Sequence, residues 1–102
     1  MQKDLLDDIR MFRDLCSRSK SFGTVLSEIL DDNDIPQKKL AESLNYSISH
    51  VNRIINDQIP DNLHLEEVRH IVDVISCSET DWAKLALAFT CYFLSKKGLL
   101  DL

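Results

Sequence analysis

The chain has 102 residues, 44% of them apolar and 28% charged, with a net charge of −5; this is one domain's worth, residues 1–102, with a single modest core. Two glycines and two prolines exclude a turn-rich β-sandwich and favour long helices. No secretory leader pattern opens the chain, and the longest apolar run, near residues 82–94, is shorter than the about 20 residues a bilayer span needs, so a soluble, cytoplasmic protein without a membrane partner is expected.

Leu5, Ile9, Phe12 and Cys16 recur at helical spacing, with Leu6 and Leu15 widening the stripe, so residues 1–20 read as an N-terminal helix. A polar break, Ser17 to Ser21, separates it from a core spanning residues 22–76. There Phe22, Val25, Leu26, Ile29 and Leu30 mark a second helix. It should stop in Asp31-Asp32-Asn33-Asp34, where acid opposes the helix dipole and Asn33 can take the left-handed conformation. Pro36 fits the opening turn of a third helix, whose inner face is Leu40, Ala41 and Leu44. After Asn45-Tyr46-Ser47, Ser47 caps a fourth helix over 48–55 with Val51 and Ile54 inward. A loop from Asp57 to Asn62 leads to a fifth, marked by Leu65, Val68, Ile71, Val72 and Ile75, with Glu66 and Glu67 where the dipole favours acid. Ser78-Glu79-Thr80-Asp81 opens a C-terminal helix over 79–97, and Gly98 suits the position after its end. No segment alternates with period two, so the fold class expected is all-α.

Little here points to catalysis. Cys16, Cys77 and Cys91 are odd in number, far apart and in no CxxC pair, and read as small buried residues outside any disulfide framework. His50, His64 and His70 are scattered, with no metal-ligand spacing. No nucleophile–base set, paired catalytic carboxylates or phosphate-cradling loop is present in the pattern, so neither an enzyme nor a cofactor or metal is expected.

The acidic balance argues against nucleic acid until its distribution is considered. Residues 35–56 hold Lys38, Lys39 and Arg53 against Glu42, a net of +2; residues 57–82 hold seven carboxylates against Arg69, a net of −6. The acid lies beside the basic segment rather than within it. Within that segment, two short helices are joined by three residues, which forces a steep crossing. One helix can then brace while the other projects toward a major groove. Ala41 allows close approach, and Asn45 tolerates positive φ at the turn. Val51 and Ile54 turn inward, leaving Ser49, Asn52, Arg53 and Asn56 outward.

At these residues, from Ile35 to Asn56 and on through Leu65-Glu66-Glu67-Val68, the chain resembles the Xre/Cro/lambda-repressor-like helix-turn-helix family. The Gln37-x-x-Leu40-Ala41-x-x-Leu44 pattern carries the likeness. The resemblance implies a lambda-repressor-like helix-turn-helix core with added N- and C-terminal helices. It implies that Gln37 contacts phosphate, that Ile48, Ser49 and Asn52 face base edges, and that Asn56 contacts phosphate at the end of the reading helix. Lys38, Lys39, Ser47, His50 and Arg53 complete the expected double-stranded-DNA interface. Departures from the pattern are Asn45 and Asp57 where glycine is usual, Ile48 where a polar residue is common and Ile55 where Glu is common.

The C-terminal helix is apolar almost all round, whereas a helix with one buried face needs only a stripe. The expectation is a homodimer interface built from Trp82, Leu85, Phe89, Tyr92 and Phe93, which would suit a palindromic operator. The function expected is a bacterial or phage-type transcriptional regulator, a repressor in its simplest form. The alternative is a protein-interaction module on the same fold, such as an antitoxin, anti-repressor or adaptor, favoured by the acidic balance and by Ile48 and Ile55.

Overall fold

A computed structural model describes residues 5–61, 63–75 and 78–98, without the side chains of residues 5–7 and 9. Six helices follow in order: α1 (Leu5–Arg18), α2 (Phe22–Asp32), α3 (Gln37–Leu44), α4 (Ile48–Ile55), α5 (Leu65–Ile75) and α6 (Glu79–Lys96). No strand occurs among the described residues, so the fold is all-α, with a helix-turn-helix in α3 and α4. The expected inward stripe of Leu5, Leu6 and Ile9, and the burial of Cys77, lie outside the described residues and side chains.

The core is built from the periodic apolar faces of α2 to α6. Phe22, Leu26, Leu40, Val51, Ile54, Val68, Ile71 and Leu85 are all but sealed from solvent. Phe22 meets Phe89 edge-to-face at 5.5 Å between ring centres, tying the start of α2 to α6. Leu65, expected on the inner face of α5, is instead 51% exposed, because the helix begins there and its first turn overhangs the core.

Local chemistry sets the helix ends. Ser21, Ser47 and Ser78 cap α2, α4 and α6, each hydroxyl accepting a hydrogen bond from a backbone N–H in the first turn. Glu67 reaches back to accept from the His64 N–H at 2.9 Å, so α5 also starts with a capping contact. Pro36 sits one residue before α3, at its N-cap, rather than inside the opening turn.

The helices α2, α3 and α4 end alike. In each, a residue at positive φ follows the last turn: Asp34 (55°), Asn45 (58°) and Asp57 (64°). The N–H after it then bonds five residues back, as Ile35 to Leu30, Tyr46 to Ala41 and Gln58 to Arg53. The left-handed residue after α2 is therefore Asp34; Asn33, expected there, has φ −102° and turns its side-chain amide onto the Ile29 carbonyl.

Helix α6 packs against α2, α5 and α1. Three helices of its own chain therefore cover part of its nearly complete apolar circumference. Leu85 and Phe89, expected in a dimer interface, are 0% and 5% exposed within the chain's own core. Of the five expected residues, Trp82 and Tyr92 are half-buried and Phe93 is 44% exposed.

The cysteine expectation is corrected. Cys16 of α1 and Cys91 of α6 are joined by a disulfide, with Cα atoms 5.4 Å apart. Their separation of 75 residues hid the pairing; only the packing of α1 on α6 brings them together.

Candidate nucleic-acid interface

The bracing helix α3 buries Leu40, Ala41 and Leu44 and leaves Lys38 and Lys39 exposed, with Gln37 half-exposed at its first residue. Its end is fixed by Asn45, whose φ of 58° and ψ of 38° turn the chain abruptly. Asn carries this conformation at lower cost than most residues. The Asn45 and Tyr46 N–H groups bond back to Glu42 and Ala41 at 3.2 and 2.9 Å. Two residues later α4 begins, its first turn closed by the bond from the His50 N–H to the Ser47 hydroxyl at 3.1 Å.

Helix α4 divides cleanly. Val51 and Ile54 are 1% and 2% exposed, whereas Ser47, Ile48, Ser49, Asn52, Arg53 and Asn56 lie at the surface. Ile48 is 52% exposed, an apolar side chain on a polar face. His50, expected to meet DNA, is half-buried, its ring edge-to-face with Tyr46 at 4.5 Å. Asn52 and Asn56 act as a pair: the Asn56 amide donates to the Asn52 backbone carbonyl at 2.9 Å and to its Oδ1 at 3.1 Å. That fixes the Asn52 carboxamide plane and leaves its own N–H groups pointing away from the pair, a donor suited to a base edge.

Among the described residues, Lys38, Lys39 and Arg53 enter no ion pair, whereas Arg18, Lys20, Arg69 and Lys96 all do. Unpaired exposed cations beside a helix with a polar outer face are what phosphate neutralisation requires.

The other end of α4 is anchored by a contact that spacing alone does not reveal. Asp57, at positive φ just past the helix, accepts a hydrogen bond from the Gly23 N–H at 2.8 Å. A carboxylate at the N-terminus of α2 is favoured by the helix dipole. Gly23 is required there because a Cβ would lie 2.2 Å from the Ile55 carbonyl oxygen. Asp57 thus does two things: it ends α4 and ties that end to α2. A Gly at the second residue of an apolar helix is the signal that could have pointed to this crossing.

Residues 24–57, from within α2 to the end of α4, match the family described as winged helix-turn-helix DNA-binding. The match includes all of α3 and α4. Over that third of the chain it is similar to a DNA-binding helix-turn-helix; the match does not extend to the Xre/Cro type in particular. No strand for a wing follows α4 among the described residues; the chain continues through a loop into α5. No curated protein and no solved structure gives a significant match.

Proposed function

We propose that this chain is a sequence-specific DNA-binding transcriptional regulator that reads the major groove with α4, and is not an enzyme. The observation that carries this reading is the outer face of α4: Ser49, Asn52 and Arg53 exposed, uncommitted to the core, and flanked by the unpaired Lys38 and Lys39 of α3. Ser49 and Asn52, three residues apart, share a helical face. Ser47 and Gln37 flank the phosphate track, with Asn56 at its far end. In its simplest form the regulator is a cytoplasmic repressor of bacterial or phage origin that occupies a palindromic operator as a homodimer. Phe93, with the accessible edges of Trp82 and Tyr92, would then supply the contact between subunits.

The test is gel shift against the gene's own upstream region at several salt concentrations. Each neutralised phosphate adds roughly −0.9 to the slope of log affinity against log salt, so Arg53→Ala and Lys39→Ala should each flatten it by about one unit. Equal salt slopes for the parent and both variants would place the phosphate contacts elsewhere.

Exposed Ile48 favours a second reading, in which the same face binds a protein. Apolar anchors dominate desolvated protein contacts, so Ile48→Ala would then weaken partner capture more than Asn52→Ala does. On DNA the order is reversed, because Ile48 offers only contact with a thymine methyl group.

A further inference from the structure

The reading surface makes no use of the Cys16–Cys91 disulfide. No described side chain of α1 belongs to the core cluster, and the element α1 packs on is α6. Met11 and Leu15, on the same helix, remain 62% and 44% exposed. Among the described side chains of α1, Phe12 and Cys16 are half-buried and none is fully buried, so those side chains gain little from packing. The covalent link between residues 75 apart ties it directly to α6. The bridge is also reachable. A cavity of about 650 Å³ opens beside it, lined by both cysteines and by Arg13, Phe22, Asp57 and Tyr92 among others. Cys16 is half-buried and Cys91 is 9% exposed, so Cys16 is the more accessible residue of the pair.

We propose that Cys16 and Cys91 form a reversible thiol–disulfide exchange site whose co-reactant is a low-molecular-weight dithiol, and that the bridge is a strap holding α1 on α6. In the exchange, a thiolate of the dithiol attacks Sγ of Cys16. The bond to Cys91 breaks, and Cys91 leaves as a thiolate that takes up a proton. The second sulfur of the reductant then displaces Cys16, which is protonated in turn. The dithiol ends as a cyclic disulfide, having given two electrons and two protons to the cysteine pair. Cys91 sits on a helix that Leu85, Ala88 and Phe89 anchor independently to the core, so α2 to α6 keep their packing when the bridge opens. What changes is α1, which shares its cavity with Phe22 and Asp57, where α2 meets the end of α4. Disulfides in reducing compartments are usually transient and redox-sensing, which fits an accessible bridge on a peripheral helix. This inference is independent of DNA binding.

Alkylation of the denatured full-length chain, read by mass, gives the first test. Without reductant one label is expected, on Cys77 alone; after dithiothreitol all three cysteines should react. Three labels without reduction would overturn the bridge. Hydrogen exchange on the native protein tests the strap. Dithiothreitol should speed exchange over residues 5–18 by about tenfold or more while leaving α2 to α5 within about twofold. Cys16→Ser should show the fast pattern without reductant and gain nothing from it. Reoxidation with glutathione disulfide should restore the one-label, slowly exchanging form. Indifference of α1 to reduction would overturn the strap, and a bridge that native dithiothreitol treatment leaves intact would overturn the exchange site. Should Cys16→Ser fail to fold, the response of the unaltered protein decides both.

Discussion

The helix-turn-helix region, α2 to α5, and the N-terminal helix on its α6 support are held in place by different physics. In the first region nearly every inward position is a buried aliphatic or aromatic side chain, and three successive helices end in the same left-handed turn. In the second, α1 leaves Met11 and Leu15 in solvent, packs on α6 and is joined to it by a covalent bond between distant cysteines. Helix α4 thus stands on a densely packed platform, with α1 at its flank. Position set by many small, local terms is robust; the exchange proposed for Cys16 and Cys91 acts on the other kind of attachment.

Substitutions should expose that contrast. The largest effect is expected at Phe22, 1% exposed and in ring contact with Phe89. Phe22→Ala should cost about 3–5 kcal/mol in urea unfolding, whereas Met11→Ala on α1 should stay within about 0.5 kcal/mol. Comparable losses at the two sites would place α1 in the core after all.

Phe89 and Phe93 sharpen the same division within one helix. Phe89→Glu buries a charge at a 5% exposed site and should abolish the cooperative circular-dichroism transition. Phe93→Glu, at a 44% exposed site, should keep the transition and shift sedimentation from dimer toward monomer. A parent protein that sediments as a monomer at high concentration would remove the dimer while leaving the fold untouched.

Smaller effects belong to the turn chemistry. Ser47→Ala removes the bond to the His50 N–H and should cost about 1 kcal/mol of stability. Asn45→Gly should be neutral to stabilising, by up to about 1 kcal/mol, since it relieves the positive φ. A loss of several kcal/mol for Asn45→Gly would show that its side chain, not its backbone, matters.

The smallest expected effect is the Asp61–Lys96 ion pair. A hydrogen bond from Lys96 holds the Asp61 carboxyl below its usual value of 3.8. A depressed carboxylate contributes stability above its unfolded pKa, and that contribution is lost as pH falls through the folded value. Both groups are solvated, so screening leaves little. Asp61→Asn should therefore change the acid-unfolding profile only below about pH 4, and only slightly. A shift near neutral pH would mean that the pair is coupled to something deeper.

Most of the platform was legible in the sequence because its causes are local. The 3.6-residue spacing placed the helices, Ser47 and Ser78 announced their starts, and the three-residue turn after Leu44 signalled the crossing of α3 and α4. The exposed residues of α4 followed from Val51 and Ile54 facing inward. What was not legible depends on residues far apart in the chain. The Cys16–Cys91 bridge and the contact between Gly23 and Asp57 have no local pattern. The apolar circumference of α6 is ambiguous by nature, because periodicity shows that a helix is surrounded without showing by what. The one-residue error at Asn33 and Asp34 has a smaller cause, since both residue types tolerate the left-handed region and the helix runs as far as its apolar face allows.

Enrichment from a pool of random duplexes, with the parent protein and Asn52→Ala side by side, tests the central claim most directly. Asn52 is exposed, its carboxamide is oriented by Asn56, and its loss should leave the fold intact. A parent that enriches one motif, and an Asn52→Ala variant that binds it about 1–3 kcal/mol more weakly with relaxed preference at one base position, is the result predicted for a reading helix. A folded parent that enriches no motif would contradict sequence recognition by α4 and hand that face to a protein partner.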